Sequence, residues 1–120
     1  MRYFSVYEDI QLVGQVYLHD IDWQSGEALI GYDLFEPRFR GRGVGTHALM
    51  LLQQYVVTST SLTSLIIIAT EGNYASRRIA EKCGFVPTGA ARENPRWVVL
   101  RWDVRRPSVL RDRDLENDAL

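Results

Sequence analysis

At 120 residues, with 46% hydrophobic and 24% charged side chains, the chain has room for one globular domain and little more. A net charge of −1 speaks against a general nucleic-acid binder, and no stretch approaches the ~18 continuous apolar residues of a membrane span. The single cysteine, Cys83, excludes an internal disulfide framework, and residues 1–8 lack the apolar block of a secretory signal. A cytoplasmic enzyme or binding protein is expected, without a nucleic-acid or membrane partner.

Residues 2–7 and 12–18 are rich in β-branched and aromatic side chains and flank Glu8-Asp9, which predicts a β-hairpin. Residues 19–26 read as a polar connection. A third strand is expected over 27–35, and Pro37 forbids a helix just after it. Residues 44–58 have helical periodicity, with Val44, Ala48, Leu51, Leu52 and Tyr55 on one face. The apolar, β-branched run 65–69 predicts a strand covered on both faces. Asn73 is a good N-cap for a second helix, with Ala75, Ser76, Ile79, Ala80 and Cys83 on a shared face. Gly84 in the C′ position and Pro87 beyond it stop that helix. Residues 86–90 allow a short strand, and 96–104 form a last one. The charged, apolar-poor stretch from residue 105 is expected to be a flexible tail beyond a domain spanning 1–104. The order β-β-β-α-β-α-β gives an α/β or α+β fold, a sheet layered with two helices.

The most informative stretch is Arg40-Gly41-Arg42-Gly43-Val44-Gly45, directly ahead of the longer helix. Its glycines let the backbone turn tightly and approach a ligand. The helix start behind it offers unsatisfied N–H groups and roughly half a positive charge, which favours phosphate. Arg40 and Arg42 add two guanidinium groups. The arrangement reads as a cradle for a pyrophosphate, with a solvated turn as the bland alternative. A P-loop would need Gly-Lys-Ser/Thr, yet Gly45 is followed by Thr46 and His47. The dinucleotide fingerprint fails because Thr46 replaces its third glycine, and Glu71 after the next strand lies too far along.

About thirty residues later, Glu71-Gly72-Asn73-Tyr74-Ala75-Ser76 opens the second helix and Glu81-Lys82-Cys83-Gly84-Phe85 closes it. Together with Arg40-x-x-Gly43-x-Gly45, these elements resemble the two acyl-CoA motifs of the GNAT superfamily of N-acyltransferases. Gly31-Tyr32, Asn73-x-x-Ser76 and the run 81–85 are similar to the branch of ribosomal-protein N-terminal acetyltransferases. The resemblance implies a mixed, mostly antiparallel sheet whose third and fourth strands splay into a V-shaped slot. Backbone amides of Arg42, Gly43, Val44, Gly45 and Thr46 would hold the CoA pyrophosphate, with Gly41 in the same turn and Arg40 opening the motif. Pantetheine would pair with the strand backbone at Leu34 and Phe35 like an added strand. Asn73 is similar to a residue that hydrogen-bonds near pantetheine. The implied co-substrate is acetyl-CoA, with a primary amine as acceptor and no metal. Ser76 matches a serine of this branch suggested to serve the departing thiolate. Its alternative role is a hydroxyl satisfied within the first helical turn. Tyr74 is a second candidate for that task.

The sequence also departs from the family pattern. Ala80 stands where many members carry a catalytic tyrosine, and Leu29 where many carry a glutamate. The general base is therefore open, with Asp33, Glu71 and Glu93 available as carboxylates that also read as ordinary surface groups. The chain begins almost on the hairpin, whereas the family places a strand and one or two helices before it. An N-terminally shortened member would leave apolar sheet bare, and a homodimer is expected to cover it. Two readings follow: an acetyl-CoA-dependent N-acyltransferase, or a CoA-binding sensor or scaffold without turnover. Of the other singled-out residues, His47 is expected to be exposed. Trp23, Trp97 and Trp102 are expected to pack, and Cys83 to be buried and structural.

Overall fold

A computed structural model describes residues 2–8, 11–34 and 43–105. Strands β1 (Arg2–Glu8), β2 (Gln11–Asp22) and β3 (Glu27–Leu34) lead to helix α1 (Val44–Ser59). Strand β4 (Ser64–Ala69), helix α2 (Tyr74–Lys82) and strands β5 (Val86–Ala90) and β6 (Val98–Asp103) follow. The six strands form one sheet in the order β1-β2-β3-β4-β6-β5. Every neighbouring pair is antiparallel except β3 and β4. This is the expected α+β architecture, with residues 86–90 adding the short edge strand.

Side chains alternate across a strand, so one face of the sheet can be read from its burial. Val16, Leu18, Ala28, Ile30, Leu65, Ile67, Ala69 and Leu100 form one buried cluster with Leu49, Leu52 and Val56 of α1 and Ala80 of α2. Both helices therefore lie on the same face. On the other face Tyr17, His19, Leu29, Ile66, Ile68 and Val99 are only partly buried, and no helix among the described residues covers them.

Three sequence expectations need correction. The segment His19 to Asp22 belongs to β2 and is not a connection. The strand passes an irregularity between His19 and Asp22, where Asp20 takes a left-handed φ of 47°. Aspartate tolerates that conformation better than most residues, so the polar composition marks a bulge. The Asp22 carboxylate then accepts the amides of Gln24 and Ser25 at 2.9 and 3.2 Å and closes the turn to β3.

The buried stripe of α1 is Ala48, Leu49, Leu52, Gln53 and Val56, about one residue round from the predicted one. Leu51 is 55% exposed. The helix is apolar over most of its circumference, so its periodicity allows two overlapping faces. The sheet and α2 select one of them, on which the buried Gln53 amide donates to the Cys83 carbonyl at 2.9 Å. The predicted stripe instead lines an open groove of about 400 Å³ with Phe4, Val6 and Val16. Third, Trp23 is 48% exposed, with the Arg2 guanidinium 5.2 Å from its ring centroid, whereas Trp102 packs on Phe85 as expected.

The rotated stripe gives a direct test. Leu49→Ala should lower unfolding free energy by about 2–5 kcal/mol in urea titration, as for a buried leucine whose site cannot collapse. A loss below about 1 kcal/mol would return the core-facing role to the stripe that contains Leu51.

Candidate active site

Strands β3 and β4 pair only at Glu27 with Ser64, Ala28 with Leu65 and Leu29 with Ile66. Beyond that point they part. Residues from Ile30 to Leu34 keep their pairing with β2, and Ile67 to Ala69 keep theirs with β6. The backbone N–H and C=O groups of these two segments are left without a ladder between them, and no described strand fills the gap. Such groups are strong hydrogen-bonding atoms, so the slot can accept an extended ligand as a partial strand.

Tyr32 points to the helix side of this slot, following Ala28 and Ile30 on the same face. Its hydroxyl donates to the Ser76 carbonyl at 2.6 Å and lies 2.7 Å from Ser76 Oγ. Burial pushes the phenol from its ordinary 10.0 up to about 12, with the Ser76 hydroxyl partly opposing that rise. Ser76 is also fixed from its own helix, because Asn73 caps α2 and accepts the Ser76 amide at 3.2 Å.

Helix α1 begins against α2, where Gly45 meets Ile79. Gly43 is its N-cap with φ 77°, a left-handed conformation that costs a side-chain-bearing residue roughly 1–2 kcal/mol. Among the described residues no side chain caps this terminus, and no acidic residue occupies the first turn. The leading amides and the positive dipole end of such a terminus suit an anion. Gly45 has a different job. A Cβ there would come within 2.9 Å of Ile79 Cδ1, so its glycine lets α2 pack against the first turn of α1. The Cys83 thiol seals the same contact by donating to the Thr46 carbonyl at 3.5 Å, and burial raises its pKa.

The predicted residues separate into three groups. Gly43, Val44, Gly45, Thr46, Asn73 and Ser76 lie on the two helix starts, and Leu34 ends β3 along the slot's edge. Phe35, Arg40, Gly41 and Arg42 lie outside the described residues. Asp33 and Tyr74 are not gathered with Ser76. Asp33 is exposed and, by strand alternation, sits on the opposite face of the sheet from Tyr32, where its charge helps raise the Tyr17 phenol. Tyr74 starts α2 but is 72% exposed. Glu71 forms an exposed ion pair with Arg96 at 3.1 Å, Glu93 is exposed, and His47 is exposed on the groove side of α1. Tyr32 is the residue that reading for roles missed. The available signal was a phenol at an inward-facing position of an aliphatic strand, which needs a polar partner.

The family model described as the acetyltransferase (GNAT) domain matches residues 2–86. The chain belongs to the GNAT acetyltransferase family. A GNAT relative from Bacillus subtilis (strain 168), bearing the provisional name ribosomal N-acetyltransferase YdaF, is 35% identical over 85 residues. Those residues are 71% of this chain and 46% of that protein, so the chain spans about half the length of this relative. The microcin C7 self-immunity acetyltransferase MccE, solved with acetyl-CoA and AMP, is 27% identical with a TM-score of 0.67 over 78% of this chain and 56% of that one. The fold is also that of a Vibrio cholerae spermidine N-acetyltransferase solved with CoA and spermine. That match has a TM-score of 0.74 at 22% identity and covers 86% of this chain and 65% of that one.

Tyr32 makes this GNAT domain sensitive to strong alkali. The folded state favours the neutral phenol, so its contribution is complete below pH 10.0 and is lost as pH rises to about 12. Urea midpoints between about pH 9 and 12 should fall less steeply in Tyr32→Phe than in the parent chain. Equal slopes would show that this phenol does not titrate out of register.

Proposed function

We propose that the chain binds acetyl-CoA and transfers its acetyl group to a primary amine of a small molecule, a peptide or a protein N-terminus in the cytoplasm. The observation that carries this reading is the parting of β3 and β4 after Leu29 and Ile66, with the first turn of α1 packed on α2, the helix that Tyr32 of β3 bonds through Ser76. In this reading the first-turn amides of α1, from Gly43 to Thr46, hold the pyrophosphate. Leu34 and Phe35 pair with pantetheine, Asn73 lies beside it, and Arg40, Gly41 and Arg42 complete the anion cradle. Family membership, acetyl-CoA in the MccE structure and the amine in the spermidine acetyltransferase structure support the choice of co-substrate and acceptor class. No helix among the described residues is long and apolar enough to cross a membrane.

The reaction is direct attack. The amine nitrogen bonds to the thioester carbon and the carbonyl electrons move to oxygen. As they return, the C–S bond breaks with its pair on sulfur. The nitrogen gives up one proton and the thiolate gains one, leaving an amide and CoA. Ser76 is assigned to the departing sulfur. Among the described residues no carboxylate hydrogen-bonds to the Tyr32–Ser76 pair, so the base is left to Asp33, Glu71, Glu93 or solvent. An α-amino acceptor, with pKa near ~8, supplies a useful neutral fraction without a base, whereas lysine at ~10.4 does not. That same gap favours the second reading, a CoA-binding module without turnover.

Calorimetric titration with CoA and release of free thiol from acetyl-CoA decide between these readings. The amine panel contains a peptide with a free α-amino group, a lysine peptide acetylated at its N-terminus, and spermidine. Binding with thiol release is the expected result; binding without release supports the module. Gly43→Trp should weaken CoA binding at least about tenfold, because a side chain at a left-handed cap is strained and stands in the anion's place. Unchanged affinity would remove the first turn of α1 from the binding site.

A second copy of the chain is assigned to the open apolar groove that includes the half-exposed Leu51 of α1 together with Phe4 and Val6 of β1. Light scattering at micromolar concentration should give twice the 13.8 kDa chain mass. A stable monomer would defeat this assignment.

A further inference from the structure

Ser76 is held at three atoms; its own helix accounts for the amide and shares the carbonyl, but not the hydroxyl. Capping by Asn73 explains the amide contact at 3.2 Å. The carbonyl and Oγ contacts, at 2.6 and 2.7 Å, both come from Tyr32, 44 positions earlier on the splayed half of β3. A first helical turn needs neither of them. They also decide where the serine hydrogen points.

Three oxygens share two hydrogens here. When the phenol hydrogen donates to the Ser76 carbonyl, the serine hydroxyl donates to the phenol oxygen and is unavailable to a ligand. When the phenol hydrogen turns to Oγ instead, the serine hydrogen is released. Both settings use the neutral phenol, so Tyr32 neither takes nor loses a proton in moving between them. We infer that Tyr32 is a positioning residue that fixes Ser76 across the slot and, by rotating its own hydroxyl, frees the serine hydrogen for the departing CoA sulfur. The inference rests on the acyl-transfer reading above. As the C–S bond breaks and its electron pair settles on sulfur, the serine O–H hydrogen-bonds to that thiolate. Solvent then supplies the proton that completes CoA.

A simple strut between β3 and α2 would behave differently from a positioning pair. The test measures kcat and KM for acetyl-CoA in the full chain, in Tyr32→Phe, in Ser76→Ala and in the double variant, with the best amine of the panel. Each single change should lower kcat about tenfold, the worth of one well-placed hydrogen bond, with KM for acetyl-CoA within about twofold. Members of one unit are not additive, so the double variant should match Ser76→Ala alone. Ser76→Thr keeps a hydroxyl and should retain most of the turnover, provided Tyr32 is intact. Effects that multiply in the double variant would overturn the inference. So would a Tyr32→Phe variant with normal kcat, or one whose KM rises as its kcat falls, while leaving acyl transfer standing. A parent chain that binds CoA but acetylates no amine would overturn the transferase reading itself, and this inference with it.

Discussion

The structure turns on a place where hydrogen bonding stops. Three residue pairs join β3 to β4, and then the two strands diverge while each stays anchored to its outer neighbour. A sheet ordinarily pairs its backbone groups, and leaving them unmatched in the interior is costly unless water or a ligand completes them. The divergence therefore defines both a local weakness of the fold and the shape of what fits it. A slender, extended molecule with its own amide groups suits such a gap far better than a compact one.

Around this gap the molecule is built asymmetrically. The helix-covered side carries the packed core, brings the start of α2 to Tyr32 of β3 and packs the start of α1 against α2. The contacts that hold them are mostly small and local: Gly45 against Ile79, the Cys83 thiol on the Thr46 carbonyl, and the Gln53 amide on the Cys83 carbonyl. Position in this region is set by close backbone approach more than by large side chains. The other side of the sheet has alternating partly buried aliphatic and aromatic residues with no covering layer among the described residues. Relatives of this chain are considerably longer than the part it matches.

Much of this was legible from residue order because the signals were local. The hairpin, the strand at β4, the Asn73 cap and the Gly84 stop each depend on a few adjacent residues, and these elements formed, although β2 runs on to Asp22 and β4 is covered by helices on one face only among the described residues. Where the reading failed, a longer-range force decided. Residues 19–22 look polar, yet the ladder with β3 continues through them by way of the bulge at Asp20. The face of α1 could not be fixed from a helix apolar nearly all round, and the neighbouring sheet and α2 made the choice. Gly31-Tyr32 was visible as a motif, but the bond from Tyr32 to Ser76 spans 44 residues and exists only once the strand and helix meet. Phe35 and Arg40 to Arg42 are expected at the site from sequence alone, since they fall outside the described residues.

The buried thiol of Cys83 has a chemical consequence of its own. Disulfide exchange requires a thiolate with access to solvent, and this sulfur is shielded, held neutral by burial and already engaged with the Thr46 carbonyl. It is also the only sulfhydryl in the sequence. A chain that liberates free CoA at its surface would otherwise risk covalent capture by its own product under oxidising conditions. If this chain acts as proposed, enclosing its one sulfhydryl against helix α1 disfavours such a mixed disulfide.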